Sequence, residues 1–192
     1  MRPIEEKERW RWLETLERRT QDIPEGINVI TVCDREGDRY ELFCQAETLR
    51  QPVLIRVVQK RMMVEHKRIL EEIQKRRCPG RVEAAIPRDS RSGIPEREAV
   101  VQLRYTPFTI RRPHILNPVK TLSESIEVTV IYVKEEHPPQ GNKPIEWFLM
   151  TSEPVTSPEE AYEYVGYYIQ RWKIEQRTLP RKVDTVKRLV LS

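Results

Sequence analysis

Two short runs of β-branched and aliphatic residues bracket a stretch with helical spacing, and this arrangement constrains the fold more than any other feature. The first run is Ile27-Asn28-Val29-Ile30-Thr31-Val32-Cys33. A nearly continuous apolar run, without polar alternation, fits a strand buried on both faces of a sheet. The charged turn Asp34-Arg35-Glu36-Gly37-Asp38 closes it, and Tyr40, Phe43 and Ala46 then recur at helical spacing. Val53-Leu54-Ile55-Arg56-Val57-Val58 forms the second run. Strand, turn, helix, strand is a βαβ unit, and its crossover predicts a parallel pair.

The remaining segments are read by the same criteria. Residues 5–19 predict an amphipathic helix, with Trp12, Leu13 and Leu16 on one stripe, stopped by Asp22, Pro24 and Gly26. Residues 60–77 predict a basic helical stretch. Between 79 and 145, prolines and turn residues separate short alternating segments, RVEAAI, EREAVVQLRY and IEVTVIYV, which predict a separate antiparallel β module. EWFLMTS returns to the βαβ sheet. A last helix comes after it, with Ser157 as N-cap, Pro158 at its first position, and Glu159 and Glu160 in its first turn. The fold class is therefore α/β (α+β), with residues 1–59 and 146–182 as the core, 60–145 as an inserted β-rich module and 183–192 as a tail.

Composition narrows the function classes. Hydrophobic residues are 38% and charged residues 33% of the chain. That is polar for a globular protein, yet the apolar runs exclude a wholly disordered one. No apolar run is long enough to predict a membrane span, and the charged start MRPIEEKERW does not read as a secretory signal. Cys33, Cys44 and Cys78 lack CxxC spacing, so a zinc site or disulfide framework is not expected, and a cytoplasmic setting suits them. Charge is unevenly placed: 16 basic and 7 acidic groups give residues 51–120 a balance of +9, and 7 against 2 give residues 167–192 a balance of +5. Such blocks suit a polyanion such as nucleic acid, or equally a solvated basic surface.

Two places carry candidate chemistry. Asp34 ends the first buried strand, and in open α/β sheets functional groups gather at the carboxyl ends of strands. It suits a divalent cation, or alternatively the N-cap of the next helix. Tyr168, Arg171 and Glu175 share one face of the last helix at i, i+3, i+7 spacing. They form either a carboxylate with phosphate-binding neighbours or a surface stripe with an Arg171–Glu175 pair.

Taken in order, CDREGD after a strand, WFLMTSEPV, and Tyr168-x-x-Arg171-Trp172-x-x-Glu175 resemble the DDE transposases of bacterial insertion sequences. The resemblance is closest to the insertion-sequence-four (transposon-five-like) family. That family's signature is Tyr, two residues, Arg, three residues, Glu, six residues, Lys, a spacing matched by Tyr168, Arg171, Glu175 and Lys182. The resemblance spans about residues 5–182. It implies a ribonuclease-H-like core with a β-rich insertion, here incomplete, and Mg²⁺-dependent (or Mn²⁺-dependent) DNA cleavage and strand transfer during DNA transposition. Asp34 and Glu175 would be catalytic carboxylates and metal ligands. Arg56, Tyr168, Arg171 and Lys182 would hold DNA phosphates, and Trp147 would stack on a flipped base. A core position for Trp147 and an exposed strand-end position for Arg56 are the plainer alternatives. DNA, in the form of transposon ends, would be the partner, with possible pairing to another transposase chain, at the bacterial nucleoid. The residues before Asp34 read as helix and loop, so the family's first catalytic Asp has no counterpart there. The expectation is a fragment that does not cleave alone, or a DNA-binding remnant that interferes with a complete transposase.

Overall fold

β-Branched runs favour pleated, half-buried or buried backbone, and here they all enter one seven-stranded sheet of mixed direction. The computed structural model describes residues 13–14, 16–18, 27–57, 69, 72–73, 75–76, 80–86, 88, 95–114, 122–142, 144–177 and 187–191. Its strands are β1 (Asn28–Cys33), β2 (Val53–Arg56), β3 (Gly80–Ile86), β4 (Arg97–Arg111), β5 (Ser125–Glu135), β6 (Glu146–Thr151) and β7 (Lys187–Leu191). They lie in the order β3-β4-β5-β6-β2-β1-β7. Two α-helices are described along their lengths: α1 (Tyr40–Leu49), between β1 and β2, and α2 (Pro158–Arg177), after β6. No helix of the described residues is long and apolar enough to cross a membrane.

The βαβ unit forms as the sequence predicts. β1 and β2 are parallel, with Thr31 opposite Val53 and Cys33 opposite Ile55, and EWFLMT joins the same sheet as β6, antiparallel to β2. The sheet separates two apolar layers. Tyr40, Leu42, Phe43, Cys44 and Ala46 of α1 pack on one face against Val128, Val130 and Phe148. Ala161, Val165, Tyr168 and Ile169 of α2 pack on the other against Leu54, Ile131 and Leu149. Burial on both faces explains why β1, β2 and β6 read as unbroken apolar runs.

Residues 79–145 depart from expectation. Their strands are antiparallel, with Val101 opposite both Val82 and Glu135, but they are not a separate module. β5 pairs with β6 from Thr129–Thr151 to Lys134–Glu146, so β3, β4 and β5 extend the core sheet. Local alternation reports that a strand exists and which face it buries; it does not report which edge it joins. β4 also runs on through Pro107 to Arg111, past the proline that marks a break in the sequence. β3 pairs β4 only as far as Leu103, which leaves the second half of β4 bonded on one side, where a missing N–H is tolerated. The expected tail contains β7, which pairs antiparallel along β1 from Asn28–Leu191 to Val32–Lys187. Most of the predicted helices over 5–19 and 60–77 lies outside the described residues.

Candidate functional site

The parallel pair sets the site, because two parallel strands end at the same edge of the sheet. Cys33 is the last residue of β1 and Arg56 the last of β2, so Asp34 and Arg56 emerge side by side. Trp147, second in the antiparallel β6, begins at that same end. A 3-10 turn, Arg35–Gly37, comes directly after Asp34 and folds back beneath it. Gly37 permits this, since a Cβ there would lie 2.5 Å from the Cys33 Cβ. Asp34 occupies the N-cap position of the turn, yet its side chain makes no capping hydrogen bond. The N-cap alternative therefore does not describe its carboxylate.

That carboxylate turns to α2 instead. The helix starts where the sequence predicts: Ser157 Oγ accepts a hydrogen bond from the Glu160 backbone N–H at 3.1 Å, and Glu160 accepts from the Thr156 N–H at 2.7 Å. This reciprocal arrangement is a variant of the capping box. Ala161, Val165 and Tyr168 then recur every three or four residues with no exposure and lay the helix on the sheet. One turn further on, Tyr168 and Arg171 reach the strand ends. Arg56 Nη1 donates to the Tyr168 hydroxyl at 3.2 Å, and that hydroxyl donates to Asp34 Oδ1 at 3.4 Å. Arg171 Nη1 lies 3.8 Å from Asp34 Oδ2, an ion contact longer than a hydrogen bond. The Arg56 guanidinium carbon stands 6.0 Å from the Tyr168 ring centroid, and Trp147 meets that ring edge-on at 5.3 Å. Four residues drawn from three separate sequence motifs thus form one network, with Trp147 beneath it.

Two expectations are corrected by burial. Trp147 is 3% exposed, so the plainer core position is the one it occupies, and its ring offers no face to a base. The cause is packing: the indole joins the apolar layer between β6 and α2. Tyr168 is fully buried too, and its hydroxyl connects Arg56 with Asp34 rather than facing a groove. Among the described residues, the basic groups of the +9 block (51–120) are spread along the sheet. Antiparallel strands carry the chain back and forth, so Arg56 lies at the site end while Arg111, paired with Ser125, lies at the opposite end.

Glu175 sits on α2 one turn beyond Arg171, about 6 Å along the axis. Its side chain, and so its expected approach to Asp34, lies outside the described residues, as does Lys182. Among the described residues no three His, Cys, Asp or Glu side chains converge on a common point. The described donor set is one carboxylate with a guanidinium against it. A divalent cation takes several oxygen ligands, and the second carboxylate expected here, that of Glu175, is not among the described side chains. The pairing of Arg171 with Asp34 has no signal in the sequence, where the near neighbour Glu175 is the natural partner. No family model matches the chain.

Proposed function

We propose that the chain is part of a ribonuclease-H-like transposase core of the insertion-sequence-four type, and that by itself it binds DNA without cutting it. The observation that supports this reading is the network Arg56–Tyr168–Asp34–Arg171. Its members lie up to 137 positions apart and stand out by motif spacing alone, yet they meet at one end of the sheet. Arg56 is the partly exposed cation of the group and the one a phosphate reaches first. Tyr168 fixes its direction by hydrogen bond and ring contact. Arg56 and Arg171 bring two guanidinium groups to this end of the sheet, which suits a polyanion. Cleavage in this family rests on three carboxylates; these residues offer matches for two, and Asp34 is engaged by a cation.

The test is fluorescence anisotropy of a labelled duplex, titrated with protein at several salt concentrations, for the wild type, Arg56→Ala and Arg111→Ala. Counterion release makes the affinity fall steeply with salt, and loss of one phosphate contact lowers the log–log slope by about 1. Arg56→Ala should show that loss and Arg111→Ala should not. A parallel incubation with Mg²⁺ or Mn²⁺ should leave the DNA intact. Absence of binding at low salt, or equal effects from the two substitutions, overturns the reading. Cleavage abolished by Asp34→Ala overturns the non-cutting part alone.

A further inference from the structure

We infer that Asp34 is a positioning residue that competes with DNA phosphate for Arg171, so that the site binds polyanions only as the Asp34–Arg171 contact opens. This rests on the DNA-binding reading above and adds a means of regulating it. The carboxylate and the guanidinium differ in access. The Asp34 side chain is 33% exposed, whereas that of Arg171 is 8% exposed. The acid thus lies on the solvent side of the base. On its way to Arg171 a phosphate, even one already held by Arg56, passes the carboxylate and is repelled by it, while the second cation lies behind.

The contact is loose enough to exchange. At 3.8 Å from Arg171 and 3.4 Å from the Tyr168 hydroxyl, the carboxylate makes no short charge-assisted bond with either. A phosphate offers Arg171 bonds of about 2.7–2.9 Å, commonly in pairs. Asp34 also escapes the local duty its position suggests, since its side chain caps neither the 3-10 turn nor α1, whose N-cap is Arg39. Its described side-chain contacts run to α2, so it is placed to act on that helix.

A double-mutant cycle on DNA affinity, run in excess chelator so that no divalent cation contributes, tests the inference. Asp34→Asn keeps the side chain's shape and removes the competing charge. It should tighten duplex binding by about five-fold or more in the wild-type background, the size of one released ion pair. In the Arg171→Gln background the same change should alter affinity less than about two-fold. Asp38→Asn, the same charge change four residues on, is the control for general electrostatics and should also stay within about two-fold. Equal tightening by the two Asp substitutions, or a persisting Asp34→Asn effect without Arg171, overturns the competition. If Arg171→Gln fails to fold, the Arg171 Nε–Hε resonance of the wild-type chain decides. It should move in the same direction on adding duplex as on Asp34→Asn, and opposite or absent movement overturns the inference. A wild type that binds no DNA removes the underlying reading as well, whereas DNA binding indifferent to Asp34 removes the competition alone.

Discussion

Replacing Glu135 by alanine strands a buried guanidinium. Arg97 donates to Glu135 from Nε at 3.1 Å and from Nη2 at 2.7 Å, and the Ile145 backbone N–H donates to the same carboxylate at 2.8 Å. The side chains of the pair are 9% and 2% exposed. Removing one partner of such a pair costs about 3–5 kcal/mol, because the remaining charge has neither water nor counter-charge. The orphaned Ile145 N–H, a loss of about 1–3 kcal/mol by itself, is one part of that cost. Against a total stability of roughly 5–15 kcal/mol, that is a large share. The pair ties the start of β4 to the end of β5 and to the residue that leads into β6, and so to the strand bearing Trp147. In urea denaturation with a slope near 2.5 kcal/mol per molar, a loss of about 4 kcal/mol lowers the midpoint by about 1.5 M. Arg97→Leu with Glu135→Leu should recover most of it, since apolar replacement of both partners is often neutral or stabilising. An alanine midpoint within about 0.3 M of the wild type, at unchanged slope, would mean that the Arg97–Glu135 pair holds no such share of the stability.

The same geometry has other measurable consequences. Gly37→Ala brings a Cβ against Cys33 and should cost about 1–3 kcal/mol by overpacking, with the 3-10 turn and Asp34 displaced; an unchanged thermal midpoint contradicts this. Ser157→Ala removes the α2 cap and should cost about 1 kcal/mol, read as a lower denaturation midpoint. Hydrogen bonds from Thr156, chiefly its backbone N–H, hold the Glu160 carboxyl below its ordinary 4.5. A depressed carboxyl contributes stability above its unfolded value and loses it as pH falls through the folded one, so Glu160→Gln should flatten the acid limb of the stability curve. Burial pushes the Tyr40 and Tyr164 hydroxyls up to about 12, and Tyr132 higher still. Their contribution is complete below 10 and lost as pH rises towards 12, so tyrosinate absorbance should lag for these side chains; ionisation of all seven tyrosines in one step near 10 would contradict it.

Much of the sheet was legible because its core strands are buried on both faces. Unbroken runs such as Val53-Leu54-Ile55 have few other uses, and the helical spacing of Tyr40, Phe43 and Ala46 fixed the parallel crossover between β1 and β2. The joining of β5 to β6 was not legible, since pairing partners are chosen by tertiary fit. Pro107 gave a false stop because a proline forbids only the bond it would donate, and half of β4 does not need it. At the candidate site, spacing named residues that do meet. It could not report depth: Tyr168 and Trp147 carry polar tips on large apolar bodies, and the apolar layer under α2 took both. Nor could spacing show that Arg171 faces Asp34, because that contact depends on how the helix lies across the strand ends.

DNA should meet this chain at the end of the sheet where β1, β2 and α2 converge. Photo-crosslinking a bromodeoxyuridine-substituted duplex to the full 192-residue chain, with peptide mapping of the adducts, tests that directly. Adducts are expected on the peptides carrying Asp34 to Arg39, Arg56 and the C-terminal half of α2, all reduced by Arg56→Ala. Adducts confined to the opposite end, around Arg111 and Arg112, would contradict it.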